Sequence, residues 1–135
     1  MIVLDASVVL KWIFEDEEDS FGAKSYRERH ISGKEIAAVH DLFFYEIGNV
    51  LTTKTGLNTN DAMEAFTLLW QFDFEVFHFG HKEFSTAIAL SRRHSISVYD
   101  AAYIVLALNL KCDFVTADRR LYERTKALKT VKLLS

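Results

Sequence analysis

The sequence predicts an α/β fold in which helices cover a mostly parallel β-sheet. Short apolar runs of strand length alternate with longer segments of helical periodicity, which is the pattern of strand–helix–strand units. Two of the runs are apolar at consecutive rather than alternate positions, as expected for parallel strands buried on both faces. The predicted strands are Ile2–Leu4, Ile36–Val39, Glu75–Phe79, Phe114–Thr116 and Val131–Leu134.

Helices fill the segments between these strands. The longest apolar segment is apolar nearly all round, so we expect it to form a buried helix. Glycines and Asn or Asp clusters at the segment ends supply the expected stop and start signals. The predicted helices are Lys24–Ser32, Asp41–Thr53, a helix capped by the cluster 58–61 and running through Phe72, His81–His94, Asp100–Leu110 and Arg119–Leu128.

Length and composition predict one compact cytoplasmic domain spanning residues 1–135. The first fourteen residues are apolar but lack a basic leader and are interrupted by Asp5, so they predict core rather than a signal peptide. No run is long enough to cross a bilayer, and the single Cys112 suits a reducing compartment. With 19 acidic against 16 basic side chains, bulk charge does not indicate a nucleic-acid binder, although an acidic run at 15–19 contrasts with a locally basic end from Lys111 onward.

Two acidic residues follow predicted strands. Asp5 comes directly after the first strand, and Asp118 comes shortly after the strand that ends at Thr116. Because ligands of parallel sheets bind at the carboxyl ends of strands, these acids predict a site there. The alternative for each is that it only caps the following helix, with Ser7 a rival cap to Asp5.

Two more acids lie on predicted helices. Glu46 shares a largely apolar helical stripe with Phe43, so its carboxylate needs a partner; the alternative is that it reaches solvent or pairs with Lys54. Asn49, one turn later, is placed to hold a neighbouring carboxylate or a metal-bound water. Asp100 opens the most apolar helix and predicts a helix cap, a role compatible with metal binding because a helix N-terminus favours anions.

Carboxylates gathered at one point repel and raise one another's pKa unless a cation lies among them. Oxygen ligands select hard ions, so the sequence predicts Mg²⁺ or Mn²⁺. Zinc is not expected, because the histidines lack convincing ligand spacing. They are His30, His40, His78, His81 and His94.

Four segments of the chain, in this order, resemble the PIN-domain family, and within it the VapC-type toxins of prokaryotic toxin–antitoxin (VapBC) pairs. The resemblance spans nearly the whole chain. The segments are Val3-Leu4-Asp5-Ala6-Ser7-Val8-Val9, Phe44-Tyr45-Glu46-Ile47-Gly48-Asn49-Val50-Leu51, Tyr99-Asp100-Ala101-Ala102-Tyr103 and Val115-Thr116-Ala117-Asp118-Arg119-Arg120-Leu121. A proline often precedes the Glu-bearing helix in such sequences, whereas His40-Asp41 stands here.

The resemblance implies a three-layer αβα sandwich and a metal-dependent endoribonuclease, the toxin of a toxin–antitoxin system. It implies that one or two Mg²⁺ or Mn²⁺ ions are bound by Asp5, Glu46, Asp100 and Asp118, with Ser7, Asn49 and Thr116 supporting these acids. Whether Asp118 coordinates metal directly or accepts a proton is left open. The resemblance further implies a homodimer and a cognate VapB-type antitoxin that covers the active site.

Basic residues near these acids are candidates for binding RNA phosphates. They are Lys11, Arg92, Arg93, Arg119 and Arg120. Arg92 and Arg93 also lie in the last turn of a predicted helix, where cations are stabilising without any ligand. The aromatic residues around Trp12, Phe43 and Trp70 are interpreted as core or interface rather than as base-stacking platforms.

Two other functions fit parts of the pattern. A phosphohydrolase would use Asp5 as a covalent nucleophile, but enzymes of the haloacid dehalogenase type require a second acid two residues on, where Ser7 stands. A catalytically silent PIN module would bind RNA or protein without cleaving it. The intact set of four acids favours the nuclease.

Overall fold

The fold is built on a five-stranded sheet in which every neighbouring pair of strands is parallel. A computed structural model describes residues 1–14 and 20–135, so the acidic run at 15–19 lies outside the described residues. The strand order is β3-β2-β1-β4-β5. The strands are β1 (Ile2–Leu4), β2 (Ala37–His40), β3 (Glu75–Phe77), β4 (Phe114–Thr116) and β5 (Val131–Leu133).

Helices cover both faces of this sheet and form two separate hydrophobic cores with it. Ile2 and Leu4 of β1 face one layer of helices, α1 to α4, whereas Val3 faces the other, α5 to α7. The three-layer αβα sandwich is therefore confirmed. The helices are α1 (Ala6–Val9), continued by a 3₁₀ turn (Leu10–Trp12), α2 (Ser20–Ile31), α3 (Leu42–Thr53), α4 (Thr59–Trp70), α5 (His81–His94), α6 (Val98–Leu110) and α7 (Arg119–Thr125).

The observed elements follow the predicted ones closely, with differences at the ends. All five predicted strands are present, and their bounds agree within two residues. The helix α7 ends at Thr125 rather than Leu128, and α2 begins at Ser20 rather than Lys24. The short α1 and the turn after it were not predicted, because seven residues are too few to display helical periodicity.

The helix α6 is the buried element predicted from its continuous apolar sequence. Every residue from Ala101 to Ala107 is buried, and the helix packs against β1, β2, β4 and α5. Its small side chains Ala101 and Ala107 are fully buried in this packing. This packing places the first turn of α6 at the carboxyl edge of the central strands.

The predicted cap of α6 is wrong. The helix starts at Val98, and its cap is Ser97, whose hydroxyl accepts a hydrogen bond from the Asp100 backbone N–H at 3.0 Å. Asp100 therefore lies in the first turn, where its carboxylate is not required for capping. Its carboxylate still has a local partner, the Ser97 side chain, so a structural role for Asp100 in the first turn remains.

The order in which strands are added to the sheet reverses between β1 and β4. From β1 the sheet continues through β2 to β3 on one side, and β4 and β5 lie on the other. Such a switch point leaves a crevice beyond the carboxyl ends of the two central strands, where doubly wound sheets bind ligands. Within the described part of the chain, no helix is long and apolar enough to span a membrane.

Candidate active site

Asp5 lies at the carboxyl end of β1 and is held by both of its oxygens. Oδ1 accepts hydrogen bonds from the backbone N–H groups of Ser7 (3.0 Å) and Val8 (3.3 Å) and from the Ser7 hydroxyl. Oδ2 accepts a bond of 2.6 Å from the Thr116 hydroxyl. The side chain is only 6% exposed. Asp5 thus caps α1, as the capping alternative predicted, but the cap uses only Oδ1.

Two hydroxyl groups join the ends of β1 and β4 around this carboxylate. Thr116 Oγ1 donates to Asp5 and accepts from the Asp118 N–H at 3.1 Å. Ser7 Oγ donates to Asp5 and accepts from the Ala117 N–H at 3.0 Å. The sequence prediction grouped Ser7 and Thr116 with the acids, and the structure brings both into direct contact with Asp5.

Asp118 lies at the exposed side of the site, directly before α7. Its Oδ1 accepts a hydrogen bond of 3.1 Å from the Leu121 N–H, so it is the N-cap of α7. The capping interpretation of Asp118 is thus observed. Because one oxygen suffices for the cap, the geometry is compatible with a second role for the other.

Glu46 projects from α3 and has a partner that the sequence prediction missed. The Tyr103 hydroxyl on α6 donates a hydrogen bond of 2.8 Å to Glu46 Oε1. The alternatives of a pair with Lys54 or a solvated side chain are not observed, since Glu46 is partly buried and bonded to Tyr103. A signal was present, because Tyr103 lies one turn after Asp100 on the same helix.

Asn49 does not join the acids by a hydrogen bond in the described residues. It is exposed on α3, and its backbone carbonyl accepts hydrogen bonds from the Thr52 and Thr53 hydroxyls. One turn separates it from Glu46, as predicted, but its side chain faces solvent. Its supporting role stays a prediction.

The pKa values of three of these acids are raised. Burial raises the pKa of Asp5 to about 6, opposed by its hydrogen bonds from Ser7, Thr116 and Val8 and reinforced by the nearby charge of Asp100. Burial raises the pKa of Glu46 to about 7; the Tyr103 hydrogen bond opposes this rise, and the charges of Asp5 and Asp100 add to it.

The charge of Asp100 acts on Asp5 and Glu46, and the charge of Asp118 acts on Asp100. Burial raises the pKa of Asp100, the hydrogen bond with Ser97 opposes the rise, and the charge of Asp118 adds to it. Asp5, Glu46 and Asp100 therefore each feel the charge of at least one other acid. A divalent cation is the group that relieves such repulsion.

The donor set fits a hard divalent ion by its chemistry. Carboxylate oxygens are what Mg²⁺ and Mn²⁺ prefer, and the repulsion among them disappears when a dication binds. In residues 1–14 and 20–135, no group of three or more Asp, Glu, His or Cys side chains lies close enough together to hold a metal ion. Like charges without a counterion repel, so we expect the carboxylates to approach one another on metal binding.

A polar cleft of about 260 Å³ opens beside the outer acids. Arg120 and Arg124 of α7 line it together with Asp100 and Asp118. The guanidinium of Arg124 donates to the Ser95 carbonyl at 2.5 Å, which fixes one wall of the cleft. Arg124 was not among the predicted phosphate-binding residues, although the signal was present, because it lies one turn after Arg120 in a helix that the sequence predicts.

The other predicted basic residues do not line the cleft. Arg92 and Arg93 are exposed in the last turn of α5, as their helix-dipole alternative requires. Arg119 is exposed at the start of α7, and Lys11 lies in the 3₁₀ turn after α1. A more apolar cavity of about 440 Å³ lies between α3 and α4 and contains none of the acids.

His40 occupies the position where the resemblance leads one to expect a proline near the Glu-bearing helix. It is 2% exposed, and neither ring nitrogen has a hydrogen-bond partner in the described structure. Burial lowers its pKa to about 4, so the ring is neutral at neutral pH. Its ring centroid lies 4.1 Å from that of Tyr103, so His40 packs against the residue that donates a hydrogen bond to Glu46.

An acidic crevice at the switch point of a parallel sheet places the protein among the doubly wound α/β proteins that bind a ligand beyond the ends of their central strands. Comparison with known families defines the class further. The PIN-domain family model matches residues 2–127, so the chain belongs to the PIN-domain family.

Individual relatives agree with this membership. Ribonuclease VapC3 from Pyrobaculum aerophilum is 33% identical over 134 residues, which cover 96% of this chain and 98% of that protein. The crystal structure of PAE2754 from Pyrobaculum aerophilum has a TM-score of 0.71 at 22% identity, covering 98% of this chain and 90% of that one. A toxin–antitoxin complex from Klebsiella pneumoniae contains a chain with a TM-score of 0.68 at 9% identity, covering 98% of this chain and 96% of that one. At these low identities the structural likenesses support the fold.

Proposed function

We propose that the protein is a metal-dependent endoribonuclease that hydrolyses RNA phosphodiester bonds. The observation that carries the proposal is the placement of acids at the switch point of a PIN-domain sheet, where Asp5, Glu46 and Asp100 each lie near another acid and Asp118 lines the same cleft as Asp100. The relative named Ribonuclease VapC3, similar over nearly its whole length, supports RNA as the substrate.

The four acids are the proposed ligands for Mg²⁺ or Mn²⁺. When bound, such an ion activates water as a nucleophile at neutral pH and neutralises charge that develops on the phosphoryl oxygens. Asp5 is the inner ligand because its position is set by hydrogen bonds to both oxygens. Asp118 is the outermost, and it is the member best placed to accept a proton from solvent.

The cleft beside the outer acids is the proposed path of the RNA backbone. Arg120 and Arg124 supply positive charge on the same wall that presents Asp100 and Asp118. Cations placed beside an acidic site compensate for its repulsion of phosphates and fix the register of the strand. Lys11, Arg92, Arg93 and Arg119 would act as weaker, longer-range contributors.

The cellular role that we propose is that of a toxin in a VapBC-type pair, acting in the cytoplasm as a homodimer held in check by a cognate antitoxin. The motif resemblance and the relation to Ribonuclease VapC3 support it, and the likeness to a chain of a toxin–antitoxin complex agrees with it. The single Cys112, with no second cysteine for an internal disulfide, fits a reducing compartment.

The phosphohydrolase alternative is not favoured by the geometry. An enzyme of the haloacid dehalogenase type has a second acid two residues after its nucleophile, whereas Ser7 stands there and its hydroxyl donates a hydrogen bond to Asp5. A silent module would bind RNA without cleaving it, and the cleavage assay distinguishes it from the nuclease.

The proposal is tested with end-labelled RNA, the purified protein and Mn²⁺. We expect cleavage products that require the metal, vanish with Asp5→Asn and persist with Asp113→Asn. Asp113 is a matched control because it is exposed and lies at the amino end of β4, across the sheet from the site. Cleavage that survives both chelation and Asp5→Asn would refute a metal-dependent nuclease at this site.

A further inference from the structure

Tyr103 links the two helical layers at the edge of the site. Its side chain projects from α6 and is fully buried. Its hydroxyl donates a hydrogen bond to Glu46 Oε1 on α3, a helix of the opposite layer. The same hydroxyl interacts with the backbone N–H of Ala6, the residue directly after Asp5. A single phenol thus lies between the inner acid and the acid of the neighbouring helix.

The ring of Tyr103 packs against two buried aromatic rings. Phe114 of β4 stacks on it with a centroid distance of 5.5 Å and an interplanar angle of 3°. His40 lies 4.1 Å away on a tilted plane and is itself buried. Because a tyrosine has only two side-chain torsions, this packing determines where the hydroxyl lies.

A hydroxyl held in this way restricts Glu46. Glutamate in a partly solvated position populates several rotamers, and ordering it on metal binding costs conformational entropy. The bond from Tyr103 occupies Oε1 and pins the carboxylate in one orientation before any ligand binds. The other oxygen is then the one left for an ion.

We propose that Tyr103 is a positioning residue that orients Glu46 for the divalent ion, acting through its hydroxyl group and not through contact with RNA. This proposal rests on the proposed metal-dependent function. Hydrogen-bond partners of metal ligands typically contribute about 10–100-fold to metal affinity or activity. We expect an effect of that size, expressed mainly in metal affinity.

The test is Tyr103→Phe, which keeps the packed ring and removes only the donor. Direct Mn²⁺ titration by calorimetry or by the electron paramagnetic resonance of free Mn²⁺ should show affinity weakened about 10–100-fold. At saturating Mn²⁺, the KM for RNA should stay within about twofold of the wild type, since Tyr103 lies away from the substrate cleft. Unchanged Mn²⁺ affinity would overturn the proposal.

Two controls separate positioning from a general loss of structure. Tyr122→Phe removes the hydroxyl of a half-buried tyrosine on α7 and should leave Mn²⁺ affinity unchanged. In the Glu46→Gln background, Tyr103→Phe should weaken Mn²⁺ binding no further, because the residue through which it acts is already altered. An equal loss in both backgrounds would mean that Tyr103 does not act through Glu46.

The outcomes also distinguish this proposal from the function on which it rests. If the wild-type protein binds no Mn²⁺, the metal-dependent nuclease itself is wrong. If the wild type binds Mn²⁺ and cleaves RNA while Tyr103→Phe binds the ion equally well, only the positioning role is wrong.

Discussion

The two ends of the candidate site are built differently. At the inner end, Asp5 is buried and accepts hydrogen bonds on both oxygens from groups of β4 and α1. At the outer end, Asp118 is exposed and accepts a bond from its own helix, beside Arg120. At the inner end, hydrogen bonds hold Asp5 in one orientation, and burial raises the pKa of its carboxyl group. The outer end has the features of a surface that exchanges with solvent and substrate.

The largest expected contrast between the two ends is in catalysis. Loss of a hydrogen-bond partner of a metal ligand typically costs up to about 100-fold in activity. Asp5→Asn should reduce RNA cleavage by more than that, because it alters a proposed ligand itself. Asp118→Asn should reduce it less, and it should leave thermal stability unchanged, since Asn caps a helix as well as Asp. Single-turnover cleavage rates at saturating Mn²⁺ provide the measurement. Equal losses would mean that both acids belong to the inner set.

The next contrast is in the pH dependence of stability without metal. The folded pKa of Asp5 is about 6, against an ordinary 3.8, so folding favours its protonated form. Its stabilising contribution is complete below about pH 4 and is lost as pH rises through 6. Relative to the wild type, Asp5→Asn should therefore gain about 2–3 kcal/mol of unfolding free energy between pH 4 and pH 7.

The pH dependence is measured as the difference in unfolding free energy between Asp5→Asn and the wild type, not from the wild type alone. The buried His40 has a pKa lowered to about 4 and acts in the opposite direction over the same range, since acidification favours its unfolded, protonated form. Urea unfolding of both proteins in chelator at several pH values cancels this shared contribution. A relative stability that stays constant with pH would show that Asp5 is not strained.

A smaller effect is expected from the hydroxyl that joins the strand ends. Thr116→Val keeps the shape of the side chain but leaves Asp5 Oδ2 without its donor and the Asp118 N–H without its acceptor. We expect a loss of about 1–3 kcal/mol in unfolding free energy. Thr125→Val is the control, because that equally buried hydroxyl only bonds back to the Leu121 carbonyl of its own helix. The two variants should differ by more than the error of denaturant titration; equal losses would exclude a special role for Thr116.

The smallest effect belongs to the outer cations. Arg120→Gln should weaken RNA binding a few-fold at low salt and reduce the dependence of log K on log salt by about 0.7 for each phosphate that the protein no longer neutralises. Lys129→Gln, which lies before β5 at the amino edge of the sheet, should leave both quantities unchanged. Fluorescence anisotropy with catalytically inactive protein measures the slope. An unchanged slope would remove Arg120 from the RNA path.

Local patterns in the sequence determined the elements of this fold. Apolar runs of strand length predicted the five strands, and a segment apolar nearly all round predicted the buried α6. The placement of Asp5 and Asp118 at strand ends followed directly from those runs. The motif order further indicated the family, which the comparison confirms over residues 2–127.

Tertiary packing alone decided which groups the acids meet. The bonds from Tyr103 to Glu46 and from Thr116 to Asp5 join residues 57 and 111 positions apart, and no local periodicity encodes such pairs. The N-cap of α6 is Ser97 rather than the predicted Asp100, because the Ser97 hydroxyl lies at the start of the helix. Periodicity reports only which side of an element is buried, whereas the partner across the sheet depends on how α6 packs over β1, β2 and β4.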